Sequence, residues 1–251
     1  MNALPEPSTS PEPGLRAPVL DRARIRAITI DLDDTLWPIA PTIERAEKAL
    51  RDWLADHAPQ AVPWCEDAAR QQELRRQVRV NRPDLAHDLG AQRREAIRLA
   101  LLHAGEDPAL DHAAFEVFYD MRQRVDLYDD ALPALQFLSD RFPVVALSNG
   151  NADVDRVGIG RFFSASISMR SAGIGKPHAP IFHAAADLAG VAVGDVLHVG
   201  DDAHLDGVGG LEAGMQVAWV NRPGGVWTPE PHVPHITVSN LTQLCAILAQ
   251  D

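Results

Sequence analysis

The sequence predicts an α/β fold in which a doubly wound parallel sheet carries a small all-helical domain. Three observations predict it. An apolar run over residues 25–32 breaks into a loop at Asp31-Leu32-Asp33-Asp34-Thr35. From Thr42 to Met121 the apolar residues recur only at helical spacing, and after Tyr128 helix and strand patterns alternate again. Such alternation implies a parallel sheet covered on both faces. An all-helical stretch between the first strand and the others reads as a cap over the strand ends.

Taken in order, residues 1–22 are proline-rich (Pro5, Pro7, Pro11, Pro13, Pro18) without apolar periodicity, which predicts a flexible tail. Residues 23–40 and 126–251 are expected to form the catalytic core, and residues 41–125 the helical cap. Within the cap, Ile43, Ala46, Leu50, Trp53 and Leu54 form one stripe after a Thr42 cap preceded by Pro41. Leu85, Leu89, Ala96, Ile97, Ala100 and Leu101 form a second, ended by Gly105, and Asp111 caps a third carrying Phe115, Phe118 and Met121. Beyond Tyr128, helices are expected over Ala134–Leu138, Ala179–Leu188 and Leu205–Ala213. Strands are expected over Val144–Leu147, Val196–Val199 and Met215–Val220. The core is therefore of the Rossmann-like type.

Composition narrows the function. The 251 residues are 46% hydrophobic, enough for a sizeable core, and the net charge is −12. An acidic chain is a poor partner for nucleic acid or an anionic membrane. No apolar stretch approaches a membrane span, and the N-terminus lacks the basic-then-apolar pattern of a signal peptide. Cys65 and Cys245 form no CxxC pair and read as reduced thiols, so a cytoplasmic location is expected. Of 23 basic residues only Lys48 and Lys176 are lysines, so a lysine at a special position stands out for its compact point charge.

Four elements carry chemistry. Asp31 and Asp33 follow the first strand, and Ser148, in Ser148-Asn149-Gly150, ends the second. Lys176, in Gly175-Lys176-Pro177, precedes a helix, and Asp201 and Asp206, in Gly200-Asp201-Asp202-Ala203-His204-Leu205-Asp206, follow a further strand. Three strands thus deliver acids or a hydroxyl to one edge of the sheet, where ligands of open α/β sheets gather. Acids aimed there are costly unless a metal or a reacting group compensates them. Each motif alone has a plain structural reading as a turn, a helix cap or a surface charge; their order and combination favour the functional one.

In that order the motifs resemble the signature of the haloacid-dehalogenase superfamily of phosphohydrolases, across residues 25–250, in the type with a helical cap between its first two motifs. The tracts Ser148-Asn149-Gly150-Asn151, His198-Val199-Gly200-Asp201-Asp202 and Gly209-Gly210 through Gly214-Met215 resemble a bacterial branch acting on flavin mononucleotide and 5-amino-6-(5-phosphoribitylamino)uracil. The resemblance implies a Mg²⁺-dependent phosphomonoesterase working through an aspartyl-phosphate on a small phosphorylated metabolite. It makes Asp31 the nucleophile and Asp33 the acid–base. Ser148, Lys176 and backbone amides near Asn149 would hold the phosphoryl oxygens. Mg²⁺ would be held by the Asp31 carboxylate, the Asp33 carbonyl and Asp201, with Asp206 ligating or orienting that shell. A 2-haloacid dehalogenase, a phosphosugar mutase and a non-catalytic phospholigand module are the alternatives, and Asp33 counts against the first because carbon–halogen hydrolysis needs no second acid.

Several residues keep two readings. Asp34 and Asp202 are expected to make structural loop bonds. His204 can touch the site or not, and Trp37 can wall the entrance or simply pack. Arg70 to Arg98 holds eight arginines against Glu73, Asp84, Asp88 and Glu95. That excess can steer phosphorylated substrates or be a solvated helix face. Substrate contacts are expected around His87, Asp88 and Arg93, and the sequence leaves the oligomeric state open.

Overall fold

The computed structural model describes residues 18–250, so most of the expected proline-rich tail lies outside the described residues. Residues 20–22, expected in that tail, are tied down instead. The Asp21 N–H donates to Gln216 Oε1 at 2.7 Å, and Gln216 returns a bond to the Asp21 carbonyl at 3.0 Å. Leu20 packs on the core.

Six parallel strands, β1 (Ala27–Ile30), β2 (Val144–Ser148), β3 (Ala165–Ser168), β4 (Val196–Gly200), β5 (Gln216–Val220) and β6 (Ile236–Val238), lie in the order β3-β2-β1-β4-β5-β6. β1 is central, with Ile30 beside Ala146 of β2 and Val199 of β4. The chain winds outward from β1 to β3, then reverses to β4. The crevice beyond the carboxyl ends of β1 and β4 is therefore the topological switch point, where such sheets bind ligands. β1, β2, β4 and β5 are buried at every position, which is why they read as unbroken apolar runs.

Side chains alternate between two clusters, as the strand period of two requires. Ile28, Ile30, Ala146 and Val199 face one side, and Ala27, Val145, Leu147 and Val196 the other. Between β1 and β2 come α1 (Ile39–His57), α2 (Val62–Glu66), α3 (Ala68–Asn81), α4 (Leu89–Ala104) and α5 (Asp111–Arg122). They share an apolar cluster of their own, in which Ala46, Leu50 and Leu54 meet Leu74, Ile97, Leu101 and Phe118. The rest are α6 (Ala131–Ser139), α7 (Val154–Val157), α8 (Met169–Ala172), α9 (Ala179–Ala189), α10 (Gly209–Glu212) and α11 (Leu241–Leu248). α6 and α11 cover one face of the sheet and α9 the other. No helix among the described residues is long and apolar enough to cross a membrane.

Three local expectations are corrected. α1 begins at Ile39, so Thr42 is not its cap but lies inside the first turn, buried, with its hydroxyl on the Pro38 carbonyl at 3.2 Å. Pro41 is accommodated because first-turn N–H groups have no intrahelical acceptor. The cap comes from Asp34, whose Oδ1 accepts from the Ile39 N–H at 2.9 Å. Asp111 is the first residue of α5 rather than its cap, and its carboxylate takes the Arg94 Nε–H at 2.8 Å. The helix expected over Leu205–Ala213 is a π-turn over Ala203–Val208 that runs into α10. α4 does end at Gly105, whose φ of +74° suits glycine.

Candidate active site

The loop that carries Asp31 and Asp33 is built by a tight reversal after β1. The Asp31 N–H donates to the Val199 carbonyl at 2.9 Å, which continues the ladder by one residue. Asp34 then takes a left-handed φ of 59°, a conformation that Asp adopts more readily than most residues. Its N–H reaches the Trp37 carbonyl at 2.7 Å. Asp34 thus shapes the loop and caps α1, the structural role expected of it.

Asp31, Lys176, Asp206 and His198 form one buried network. Lys176, 5% exposed, donates from Nζ to Asp31 Oδ1 and to Asp206 Oδ1, both at 2.6 Å. His198 Nε2 lies 3.0 Å from Asp206 Oδ1, and its Nδ1 lies 2.9 Å from the Thr29 hydroxyl. Burial holds the His198 pKa down, so the ring is neutral. A neutral ring that accepts from Thr29 at Nδ1 donates to Asp206 from Nε2. The Asp202 N–H donates to Asp206 Oδ2 at 3.1 Å. Burial alone would raise the Asp206 pKa, but Lys176 and His198 outweigh it and hold it at about 2. Burial likewise opposes the charge on Lys176, and the two carboxylates outweigh it and raise its pKa.

Asp31 ends with the opposite balance. Burial raises its pKa well above the ordinary carboxylate value, Lys176 pulls it back, and the charge of Asp206 adds to the rise. Asp201 is pushed up to about 7 by burial first and then by Asp206, against a 3.0 Å hydrogen bond from the Thr35 hydroxyl. Asp31, Asp201 and Asp206 each offer an oxygen, all within 4.8 Å of one another. Set against these three carboxylates, Lys176 is the one cation paired with them among the described residues, so full ionisation of the three acids leaves two negative charges uncompensated. A hard divalent cation with oxygen ligands fits that donor set and that charge. The Asp33 carboxylate stands outside this cluster.

Asp33 is held elsewhere. Trp37, fully buried, donates from Nε1 to Asp33 Oδ1 at 2.8 Å, so it packs and orients the carboxylate rather than walling an entrance. Arg122 from the end of α5 places Nη2 across both Asp33 oxygens, at 2.8 and 2.7 Å. Its Nε reaches Asn151 Oδ1 at 3.2 Å, and its Nη1 is buried with no partner among the described residues. An unmatched buried donor costs roughly 1–3 kcal/mol. The sequence reading missed Arg122, yet a signal was present: Ala114, Phe118 and Arg122 recur at i, i+4 and i+8, and all three are buried.

The remaining expected residues sort as follows. Ser148 is buried at the end of β2, with its Oγ accepting the Gly150 N–H at 2.9 Å. A Cβ on Gly150 would sit 2.6 Å from Asp33 Oδ2 and 3.2 Å from Ser148 Oγ, so glycine is what lets these two groups converge. The Asn149 side chain is spent on the Lys176 backbone, donating to its carbonyl at 2.9 Å and accepting its N–H at 2.8 Å. It aligns the lysine, and the backbone N–H groups are what its loop can offer an anion. Asp202 caps the π-turn through the His204 and Leu205 N–H groups, while His204 itself is exposed.

Most of the arginine-rich stretch is paired internally. Arg93 bonds Glu47, Arg94 bonds Asp111, Arg98 bonds Glu95, and Arg76 bonds Glu73. His87 and Asp88 line a cleft shared with Asn149, Gly150 and Asn151. Arg93 lines a separate cavity of about 230 Å³ among the helices, with Leu50, Trp64, Cys65, Leu74 and Asn151.

The family model for haloacid dehalogenase-like hydrolases matches residues 25–214 of this chain. Over 233 residues the chain is 33% identical to the 5-amino-6-(5-phospho-D-ribitylamino)uracil phosphatase YigB of Escherichia coli, covering 90% of this chain and 97% of that relative. The phosphoserine phosphatase of Thermus thermophilus is 29% identical over 247 residues, covering 88% and 98%. Among solved structures, a 2-haloacid dehalogenase from Pseudomonas syringae superposes with a TM-score of 0.84 at 37% identity, covering 90% of this chain and 98% of that one.

Proposed function

The chain belongs to the haloacid dehalogenase-like hydrolases, and from that premise we propose that it is a Mg²⁺-dependent phosphomonoesterase acting through an aspartyl-phosphate on small phosphorylated metabolites. It is a hydrolase of the phosphatase kind. The observation that carries the mechanism is the division of labour within one loop: Asp31 sits in the Lys176–Asp206 cluster, and Asp33, two residues on, has its carboxylate outside it.

Asp31 attacks phosphorus with the oxygen that Lys176 leaves free, and the ester oxygen departs with a proton from Asp33. Water then attacks the phosphorus of the aspartyl-phosphate and gives a proton to Asp33. This releases inorganic phosphate and restores both carboxyl groups. Such acid–base assistance is typically worth about 10²–10⁴-fold. Lys176, the Ser148 hydroxyl and the backbone N–H groups near Asn149 hold the phosphoryl oxygens, over which the transition state spreads its charge. Asp31, Asp201 and the Asp33 carbonyl would hold Mg²⁺, with Asp206 fixing Lys176 and the Asp202 N–H behind them. When bound, Mg²⁺ supplies positive charge that lets a carboxylate approach a phosphate dianion.

For substrate, we propose 5-amino-6-(5-phosphoribitylamino)uracil or flavin mononucleotide. The first of these is supported by the Escherichia coli ribitylaminouracil phosphatase, which the chain matches over 97% of its length. The helices Ile39–Arg122 act as a cap domain over the site, and the cavity among them is mainly apolar, its Arg93 already neutralised by Glu47. The apolar lining suits a ring, and Arg75, which also lines the cavity and pairs with no acid among the described residues, offers a charge to a second group. The similarity to the Pseudomonas syringae dehalogenase supports a second reading, hydrolysis of a 2-haloacid.

The test is phosphate release from a panel of phosphometabolites with Mg²⁺ and with EDTA, for wild type and Asp31→Asn, with 2-chloropropionate run in parallel. Metal-dependent turnover that the substitution abolishes is the expected result. Chloride release without added metal, and no phosphate release, would establish the second reading instead.

A further inference from the structure

Asp33 and Trp37, which bonds one of its oxygens, belong to the core, yet the group that spans both oxygens comes from the cap. Arg122 is the last residue of α5 and is 1% exposed. Nη2 straddles both Asp33 oxygens, and Nε fastens the guanidinium to Asn151 in the loop after β2. Other ion pairs join the helical layer to the core, Arg156 to Asp120 and Arg170 to Asp88, but they lie at exposed positions where such pairs contribute little. Arg122 differs from them in burial and in partner. Burying a guanidinium is unfavourable without several bonds, and its Nη1 still has no acceptor among the described residues. Arg222 also leaves a buried donor unmet, at Nε, so the open Nη1 is not by itself the mark of function; what sets Arg122 apart is that a buried guanidinium from α5 spans both oxygens of the Asp33 carboxylate.

We propose that Arg122 is a positioning residue of the hydrolysis: delivered by the cap, it aims the Asp33 carboxyl at the leaving-group oxygen, so that the acid–base is assembled only when the cap is docked. This inference rests on the phosphatase reading above. It follows that Arg122 acts on the departure of the alcohol and hardly at all on the binding of phosphate, which Lys176 and the Ser148 loop perform.

Leaving-group dependence tests it. p-Nitrophenolate departs with little need of a proton, whereas an alkoxide needs one. The measurement is kcat/KM for p-nitrophenyl phosphate and for the best alkyl phosphate of the panel, with wild type, Arg122→Met, Arg122→Lys, Asp33→Asn and the Asp33→Asn/Arg122→Met double variant. Arg122→Met should lower the alkyl value by about 100-fold or more, the low end of acid–base assistance, and the aryl value by less than about tenfold. Arg122→Lys, which keeps a cation and the stem, should recover part of the alkyl loss. In the Asp33→Asn background the same replacement should change the alkyl value by less than about threefold, since coupled residues do not add.

Equal losses on both esters, or an undiminished loss in the Asp33→Asn background, would overturn the inference and leave the phosphatase reading intact. A wild type that releases phosphate from neither ester removes both. Because the cycle compares variants that share the Arg122 replacement, a general loss of fold cannot imitate the expected result.

Discussion

Replacing Lys176 by Met removes the ammonium that binds Asp31 and Asp206 at 2.6 Å each while keeping a side chain of similar length. Both carboxylates are buried, so the change leaves uncompensated charge in a site with little water to screen it. Removing one partner of a buried ion pair costs about 3–5 kcal/mol. In a chain of this size each kcal/mol moves Tm by about 2–4 °C, so the variant should melt roughly 6–20 °C below wild type at pH 8 in EDTA. The sign of the pH effect follows from Asp31. Its pKa is already raised by burial against the pull of Lys176. Without the lysine it rises further, so the folded variant binds a proton that the unfolded chain does not. Its stability therefore increases as pH falls, and the gap to wild type should narrow markedly at pH 5. Differential scanning fluorimetry of both proteins at the two pH values reads this directly. A gap of the same size at pH 5 and pH 8, or one below about 2 °C at pH 8, would refute the charge argument.

Three further outcomes are expected. In EDTA, wild-type stability should decline as pH rises from about 4 to about 7, because Asp201 is held at about 7 when folded and near the ordinary carboxylate value when unfolded; for the same reason Mg²⁺ should raise Tm more at pH 8 than at pH 5.5. Gly200→Ala should fold poorly and lose activity, since the new Cβ would lie 2.3 Å from Asp206 Cγ in a carboxylate fixed on both oxygens; thermal melts and phosphate release check it. Arg94→Ala should lower Tm and leave kcat/KM nearly unchanged, because Arg94 is tied to Asp111 within the helical layer; a selective rise in KM would restore a substrate-steering role for it.

The acids were legible because each follows a strand buried on both faces, and an apolar run that stops at a carboxylate is visible in one dimension. The sheet's two edges were not. β3 buries a single residue, Ile167, and β6 spans only Ile236–Val238, so neither offers enough apolar period to stand out. The start of α1 was misplaced because Asp34 caps it from five residues upstream, across a left-handed turn, where the usual i to i+3 spacing gives no hint. Arg122 was hidden for a different reason: in a chain that uses arginine almost everywhere, one on a buried stripe looks like the others. His198 was read as part of a strand, and its support of Asp206 depends on Thr29 of the neighbouring strand, a pairing that only the sheet order reveals.

The chain leaves the core just before Ile39 and returns just after Arg122, and the two crossings are stitched together. The Tyr128 N–H donates to the Leu36 carbonyl at 2.9 Å, and Arg45 reaches the Arg124 carbonyl at 2.9 Å. Seen from the sheet, the whole helical layer is one closed loop between neighbouring strands. The entropy of closing a loop grows only with the logarithm of its length, about 0.6 kcal/mol for each doubling. Helices can therefore be lengthened, shortened or exchanged inside that loop at almost no cost to the sheet. What such an exchange must preserve is a guanidinium at the returning end, within reach of Asp33.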